Sequence, residues 1–321
     1  MKYRTSTLLL LGLLWLLPHR AHAQAGYELG GQAGAAFRLG FAARGISAGN
    51  ALSAVSQGDG LSYYNPALVP FQSQPTALLA TGFLPFDRNL NYVSYVQHLK
   101  PSGGFSVALI NAGASSIQGR DLEGEPTENY NTSENEFLFS FGTKLRDDFS
   151  VGVSAKILYF SLFRDVKSTT VGFDIGCLYF PSREWAIALV LGDLNSKYKW
   201  DTSKLYGRDG TTTIDRFPLR RKVAASYAPE FLNGHVSTEL EWVGSILLAR
   251  FGTEIALHEN FGLSAGVDQV DFKRRIDPRP TIGFSLKTAW SSWNPALHYG
   301  YVLEPYSGGG IHLVSLTLGI E

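Results

Sequence analysis

The stretch EFLFSFGTKL, residues 136–145, alternates between large apolar side chains and small or charged ones. Successive side chains of a β-strand point to opposite faces, so Phe137, Phe139 and Phe141 share one face. The opposite face carries Leu138 together with small and charged residues. The same alternation recurs in FSVGVSAKILYF (149–160), VGFDIGCLYF (171–180), FGLSAGVDQ (261–269) and HLVSLTLGI (312–320). The pattern predicts strands with one continuously apolar face.

The small residues on the second face distinguish two classes of all-β protein. In a soluble sandwich that face meets water, and glycine has no reason to recur there. In a membrane barrel the apolar face meets lipid, and the small or polar face lines the lumen. The segments are about 10 residues long, which is the length that a tilted strand needs to cross a bilayer. The sequence therefore favours a transmembrane barrel, with a soluble sandwich as the alternative.

Fourteen such segments follow one another along the chain, an even number as in single-chain bacterial barrels. Their predicted ranges are 75–83, 90–99, 103–112, 135–145, 149–160, 169–180, 184–192, 218–228, 235–243, 247–257, 260–268, 279–290, 294–303 and 311–321. Tight turns alternate with mostly longer links, although the short link at Gly244-Ser245 departs from this rule. The predicted fold class is all-β, a fourteen-stranded antiparallel transmembrane β-barrel formed by residues 74–321.

Residues 1–23 have the features of a secretory signal peptide. Lys2 and Arg4 precede an apolar run that is far shorter than the ~20 residues needed to span a membrane. Ala21-His22-Ala23 then provides a small-x-small cleavage pattern. The chain is therefore expected to be exported, and with a barrel fold its expected location is the bacterial outer membrane, in contact with lipid.

The composition excludes several classes of function. Lys and Arg total 28 and Asp and Glu total 28, a balance that gives no electrostatic footprint for nucleic acid. Cys177 is the only cysteine, so the chain cannot form an internal disulfide. No catalytic group, metal site or cofactor motif is recognisable, because the chain has no phosphate-binding loop, Cys-x-x-Cys pair or nucleophile elbow. The expectation is a protein that is not an enzyme.

Residues 24–73 precede the first strand and lack its alternation. Much of this stretch is rich in alanine and glycine, which suits a segment packed inside a narrow lumen. We expect residues 24–73 to form an N-terminal hatch, with a flexible periplasmic leader as the alternative.

The motif Tyr63-Tyr64-Asn65-Pro66-Ala67 is expected at the periplasmic mouth, where it would join the hatch to the barrel. Pro66 cannot belong to a paired central strand, and Asn65 can close a turn through local backbone bonds. Tyr63 and Tyr64 are expected to contact barrel residues and to keep their hydroxyl groups hydrated.

Charged residues fall on the predicted inward face of many strands. The lumen charges predicted in this way are Lys144, Lys156, Asp174, Lys222, Glu239, Glu241, Arg250, Glu254, Asp268 and Lys287. An unpaired charge in a crowded lumen costs several kcal/mol, so we expect Lys156 and Asp174, on neighbouring strands, to lie near opposite charges.

The stretch RLGFAARGISAGNALSAVSQGDGLSYYNPALV, residues 38–69, resembles the N-terminal signature of the PorV/PorQ family and, more distantly, of the FadL family. FDRNLNYVSY, GRDLEG, SENEFLFSFGTKL and LGDLNSKYKWDT also resemble PorV/PorQ members. The resemblance implies a fourteen-stranded outer-membrane barrel with an N-terminal hatch. One departure is the last three residues, Gly319-Ile320-Glu321, because such barrels usually end on an aromatic residue.

The resemblance implies two functions of different class. PorV-type members are linked with type IX secretion, where they bind exported cargo proteins, and secretion-system subunits would be further partners. FadL members move hydrophobic small molecules. A mixed-charge lumen offers little to an acyl chain, so the sequence favours the secretion function, with the FadL-like transporter as the alternative.

Overall fold

The structure, a computed structural model, describes residues 31–58, 61–273, 276–288, 293–305, 307 and 309–320. The predicted signal peptide, residues 1–23, and the first part of the predicted hatch, residues 24–30, lie outside the described residues.

Fourteen antiparallel strands close into one barrel, which confirms the predicted fold class. These strands are β1 (Thr76–Leu84), β2 (Arg88–Leu99), β3 (Gly103–Ala114), β6 (Ser133–Arg146), β7 (Phe149–Phe163), β8 (Val166–Tyr179), β9 (Trp185–Leu194), β12 (Arg220–Tyr227), β13 (Gly234–Val243), β14 (Ile246–His258), β15 (Phe261–Asp271), β16 (Arg279–Lys287), β17 (Trp293–Val302) and β18 (Ile311–Ile320). Each strand pairs with its neighbours in this order, and β1 pairs with β18, so the sheet has no free edge.

Two further hairpins lie in the longest links, where the sequence predicted no strands. They pair β4 (Ile117–Arg120) with β5 (Pro126–Tyr130), and β10 (Lys197–Asp201) with β11 (Thr212–Arg216). The helices are α1 (Ala43–Ser47) and α2 (Ser203–Tyr206), and the 3-10 helices are Ala36–Arg38, Leu61–Tyr63, Pro66–Phe71, Gly207–Asp209 and Glu230–Leu232. Within the described residues, no helix has the length and apolarity needed to cross a membrane.

The two ends of the barrel differ. One end, called here the turn end, has short links such as 100–102, 147–148 and 259–260, and β1 begins there. The other end, called the loop end, carries both extra hairpins. Outer-membrane barrels place short turns on the periplasmic side and long loops outside, so the turn end is the periplasmic one.

The outer surface of the wall is apolar around the barrel. Its exposed side chains include Leu79, Val93, Val107, Phe137, Phe139, Val153, Ile157, Val171, Phe173, Ile175, Ile187, Val223, Val236, Phe251, Leu263, Ile282, Leu297 and Leu316. At the turn end the rings of Trp185 and Tyr227 stack with centroids 4.7 Å apart, in the position of an interfacial aromatic girdle. Exposed apolar side chains over the whole wall require lipid as their solvent. The protein is therefore an outer-membrane β-barrel.

The first prediction concerns this lipid-facing surface. Phe139 is 50% exposed, whereas its neighbour Ser140 points inward and is 4% exposed. Phe139→Arg is expected to lower the free energy of unfolding into lipid vesicles by about 2–4 kcal/mol, because a charge near the bilayer midplane is poorly solvated. The matched control is Leu122→Arg, at a fully exposed position in the β4–β5 hairpin. Equal denaturant midpoints for the two variants would contradict the orientation of β6.

Candidate functional site

The N-terminal segment, residues 31–58 and 61–73, lies inside the barrel. The Ala43 amide donates to Ser315 Oγ on β18 at 2.6 Å. On the far side of the lumen, Ser226 Oγ of β12 donates to the Ala54 carbonyl at 2.8 Å. Strands β18 and β12 stand on nearly opposite sides of the closed sheet. The segment therefore crosses the width of the lumen.

The segment also runs along the barrel axis. Gly34 packs against the ring of Phe217, which precedes β12 at the loop end. Gln57 lies towards the turn end, where its carbonyl accepts from Arg44 Nη2 at 2.8 Å. The chain leaves the segment at the turn end, where β1 begins. The segment therefore extends from the loop end to the turn end of the lumen.

The hydroxyl groups of both tyrosines of the motif bond to protein atoms, which corrects the expectation that they are hydrated; Tyr64 is buried and Tyr63 half-buried. Tyr63 donates its hydroxyl proton to the Phe37 carbonyl at 2.7 Å, and burial raises the pKa of Tyr63 to about 12. Tyr64 donates to Asn50 Oδ1 at 2.8 Å. Both acceptors belong to the N-terminal segment. The protein itself thus replaces water, and the tyrosines tie the two halves of the segment together.

Asn65 and Pro66 lie near the turn end of the lumen. Asn65 caps the 3-10 helix Pro66–Phe71, since its Oδ1 accepts from the Ala67 amide at 2.9 Å. Inward-facing Gly152 and Gly176 contact this turn so closely that any added Cβ would overlap Pro66 or Asn65. Glycine therefore recurs on the inner face at these two positions because the N-terminal segment approaches the wall too closely for a side chain.

The lumen holds a continuous series of ion pairs, called here the charge belt. Its members, all buried, lie on the consecutive strands β6, β7, β8, β9, β12, β13, β14, β15 and β16: Glu136, Lys156, Asp174, Asp193, Arg220, Lys222, Glu239, Glu241, Arg250, Asp268 and Arg279. Lys156 Nζ lies 2.9 Å from both Asp174 Oδ2 and Asp193 Oδ1. Each base therefore faces at least one acid on an adjacent wall strand.

The belt continues through shared carboxylates. Arg220 Nε lies 2.5 Å from Glu241 Oε1, and Glu241 also pairs with Arg250. Arg250 Nε and Arg279 Nη2 each lie 2.6 Å from one oxygen of Asp268. Lys222 Nζ lies 3.2 Å from Glu239 Oε1. Buried charges are tolerated here because each lies next to an opposite charge, whose attraction offsets the cost of desolvation.

The remaining predicted lumen charges lie outside the belt. Glu254 binds Arg44 of the N-terminal segment, with Oε1 2.9 Å from Nε and Oε2 2.6 Å from Nη2. The ammonium of Lys144 lies 4.3 Å from the centroid of the Phe71 ring. Lys287 is exposed at the turn end.

Several charged lumen residues were absent from the sequence prediction. Glu136 and Arg220 share the inward parity of Lys144 and Lys222, so the alternation alone could have found them. Asp193 carries a positive φ of 61° at an irregularity in the β8–β9 pairing, for which the sequence gives no signal.

Asn50 joins the N-terminal segment to the charge belt. Its Nδ2 donates to Asp268 Oδ2 at 3.0 Å and to the Leu39 carbonyl at 3.1 Å. Its Oδ1 accepts from Tyr64, as described above. One buried amide thus connects the belt, the first turn of the segment and the tyrosine motif.

The other side of the lumen carries an apolar surface, which we call the apolar sector, next to the buried polar residues Thr76, Ser94, Ser106, His298, Ser315 and Thr317 of the same strands. Its inward residues lie on the adjacent strands β17, β18, β1, β2 and β3: Val302, Ile311, Leu313, Leu78, Leu90, Tyr92, Ala108, Ile110 and Ala112. Phe37, Phe41, Ala43 and Ile46 of the N-terminal segment pack against it. The segment thus contacts charge on one side and hydrocarbon on the other.

Two cavities flank the N-terminal segment. The outer cavity, of about 740 Å³ at the loop end, is lined by apolar residues such as Leu39, Leu84 and Ala112 and by the charged residues Arg38, Arg88, Glu134, Glu241, Arg250, Arg279 and Glu304. The inner cavity, of about 720 Å³ at the turn end, is lined by polar residues such as Arg44, Glu254, His298 and Lys287 and by apolar ones such as Phe71 and Ile255. Both have the size of small-molecule sites. In the described part of the chain, no group of three His, Cys, Asp or Glu side chains could hold a metal ion.

No protein-family model and no curated protein sequence matches the chain. Solved structures do share its fold. The Pseudomonas putida toluene transporter TodX has a TM-score of 0.61 at 12% identity, over 87% of this chain and 96% of that one. The CymD monoaromatic hydrocarbon channel gives the same TM-score, identity and coverage. A Pseudomonas aeruginosa FadL homologue has a TM-score of 0.58 at 11% identity, over 87% and 97% of the two chains.

These similarities show that the chain has the fold of FadL-type outer-membrane channels. They give no support to the PorV/PorQ assignment or to a role in type IX secretion.

The second prediction concerns the charge belt. Lys156→Met is expected to lower the free energy of unfolding by about 3–5 kcal/mol, because Asp174 and Asp193 lose their common partner in a buried site. Lys287→Met removes the same charge from an exposed position, and a change within about 0.5 kcal/mol is expected. Denaturant unfolding in lipid vesicles measures both. An undiminished stability of Lys156→Met would show that the belt contributes nothing.

Proposed function

We propose that the protein is a plugged outer-membrane channel for small hydrophobic molecules and that the N-terminal segment is its hatch. The observation that carries this proposal is the pair of cavities at opposite ends of one barrel, divided by the N-terminal segment. The apolar wall of the outer cavity continues into the apolar sector through Ala112, which belongs to both. A hydrophobic molecule entering from outside therefore meets hydrocarbon at the point where the hatch closes the lumen.

The segregation of the lumen explains why charged residues do not exclude such a molecule. The belt charges pair with one another on β6–β16, and the sector on β17–β3 stays apolar. The expectation that a mixed-charge lumen favours partner binding over apolar transport treated the lumen as a whole and did not consider on which side of the wall the charges lie. The fold shared with channels described as carrying toluene and monoaromatic hydrocarbons also supports the transport proposal.

The hatch is held by separate contacts, each of which can break while the others remain. They include the Arg44–Glu254 pair, the Asn50–Asp268 bond and a 2.6 Å hydrogen bond between Ser264 Oγ and Ser47 Oγ. Individual hydrogen bonds contribute only about 0.5–1.5 kcal/mol each. The ion pairs within the wall do not depend on the hatch, so the segment can shift without opening the barrel.

The third prediction tests whether the hatch must move. Ser47→Cys with Ser264→Cys, in a Cys177→Ala background, places two thiols within disulfide reach between hatch and wall. Uptake of toluene into proteoliposomes is expected to stop after oxidation and to return after reduction.

The matched control is a disulfide within the wall. Ser140 Oγ and Ser154 Oγ lie 2.8 Å apart on β6 and β7, so the pair Ser140→Cys with Ser154→Cys leaves the hatch untethered. Its uptake is expected to be the same oxidised and reduced. Undiminished uptake by the oxidised Ser47–Ser264 variant would rule out a hatch that moves.

The fourth prediction concerns ions. The intact protein is expected to show no large steady conductance in planar bilayers, because residues 31–58 fill the lumen. Deletion of residues 24–60 is expected to produce such a conductance, provided that the variant keeps the heat-modifiable mobility of a folded barrel. Large conductance from the intact protein would contradict the plug.

A further inference from the structure

An apolar solute that enters the lumen would have its lowest free energy in contact with the apolar sector. Against the charge belt, an apolar solute would disturb paired charges and offer them no hydrogen bond. Against Leu90, Ile110 and Leu313 it would be removed from water by hydrocarbon, at about 25 cal/mol per Å² of apolar surface buried. A binding site for a hydrophobic solute therefore belongs in the sector, which the hatch now fills.

The hatch places one aromatic ring in this position. Phe41 is 1% exposed. Its ring stacks on Tyr92 of the wall, with centroids 5.9 Å apart and planes at 25°. Tyr63 meets the same ring edge-on, with centroids 4.8 Å apart and planes at 83°. Offset stacking and edge-to-face contact are the two arrangements that aromatic rings prefer, so the surroundings of Phe41 suit a flat ring.

The backbone on both sides of Phe41 adopts unusual conformations. Gly40 has φ +91°, and a Cβ there would collide with the Asn50 amide. Ala42 has φ 63° and ψ 144°, a region that is almost restricted to glycine. Because alanine is strained there, surrounding contacts must hold the backbone in place. They are the packing of the Phe41 ring, the Tyr64 hydroxyl that donates to the Phe41 carbonyl at 3.2 Å, and the bond from the Ala43 amide to Ser315 Oγ. Departure of the ring removes the packing part of this restraint, so strain at Ala42 favours departure.

We propose that the apolar sector is a binding site for an uncharged aromatic ring and that Phe41 occupies this site until an incoming ring displaces it. This inference rests on the proposed channel function and names its solute class. The outer cavity supplies the approach, since Leu39 of the hatch and Ala112 of the sector both line it. A carboxylate would be stripped of water in the sector without gaining a partner, so anionic rings are excluded.

The experiment measures toluene binding to the full-length protein in detergent by isothermal titration calorimetry. Phe41→Ala removes the competing ring, and toluene is expected to bind about tenfold more tightly, which equals about 1.4 kcal/mol. Ala42→Gly relieves the strain and keeps the ring, so toluene is expected to bind about tenfold more weakly. Thermal stability is expected to change in the opposite order, lower for Phe41→Ala and higher for Ala42→Gly.

Two controls separate a site from an ordinary cavity. Leu68 is equally buried, at 1%, but packs in a different cluster with Leu52 and Leu178, so Leu68→Ala should destabilise without tightening toluene binding. Ala51 is fully buried in the same segment without a positive φ, so Ala51→Gly should not strengthen the hatch. Benzoate, the anionic ring of similar size, should not bind any variant.

Two results would overturn the inference: toluene binding no weaker in Ala42→Gly than in the wild type, or no tighter in Phe41→Ala than in Leu68→Ala. If Phe41→Ala does not fold, the toluene affinity of Ala42→Gly decides alone. If the Phe41 position were only a cavity that a ring fills or leaves empty, Ala42→Gly would bind toluene with the affinity of the wild type. The channel function is judged separately by toluene uptake. Uptake without these affinity shifts rejects the Phe41 site only, and affinity shifts without uptake reject the channel only.

Discussion

A closed sheet in lipid sends every strand residue either to hydrocarbon or to the lumen, and the rest of this structure depends on that choice. Side chains that would be charged in lipid must point inward, where they meet other side chains and little water. The charge belt is the consequence: Lys156, Arg220 and Arg250 each face at least two carboxylates from neighbouring strands. Ion pairs between wall strands hold these charges, and Asn50 of the N-terminal segment adds a hydrogen bond to Asp268.

The hatch fits the lumen through small residues and a few specific polar contacts. Glycines of the wall let Asn65 and Pro66 approach the backbone of β7 and β8, and a side chain at either glycine would push the turn out of place. Asn50 is the point at which hatch and belt meet, because one amide serves Asp268, Leu39 and Tyr64. On its other side the N-terminal segment packs against the apolar sector, where its directional bonds join neutral groups, such as the Ala43 amide with Ser315 Oγ at 2.6 Å and Ser62 Oγ with Ser106 Oγ at 2.9 Å. The Arg44–Glu254 ion pair and the bond to the belt carboxylate of Asp268 lie on the first side, so the two sides of the segment are held by different kinds of contact.

The sequence predicted the barrel well because each strand carries its own evidence. Phe137 to Lys144 alternate whatever the rest of the chain does, and all fourteen strands are confirmed. The position of Asn65 and Pro66 outside the strands was also predictable, since Pro66 is incompatible with a central strand and begins a 3-10 helix. The sequence did not predict the features that depend on contacts between distant segments. The burial of the Tyr63 and Tyr64 hydroxyls requires acceptors in residues 37–50, and the β10–β11 hairpin has no strong alternation. The side of the barrel on which charges gather depends on strand order, which no single strand reveals.

The distribution of charges around the barrel decides which function the lumen can support. A count of lumen charges describes a polar tube, but the same residues placed on β6–β16 leave a hydrocarbon surface on β17–β3. Transport of an apolar solute needs only one continuous apolar side, provided that the polar side is internally paired and does not call for water. Wall charges paired with each other keep these ion pairs while the N-terminal segment shifts, and only the Asn50 bond to Asp268 is lost among the belt contacts described above. Charges paired mainly with the segment would be left exposed at every opening. Arg44–Glu254 is an ion pair between the segment and the wall, and its carboxylate lines the inner cavity, where water can replace the lost partner. The arrangement thus limits the cost of opening to contacts that solvent or a hydrophobic solute can restore.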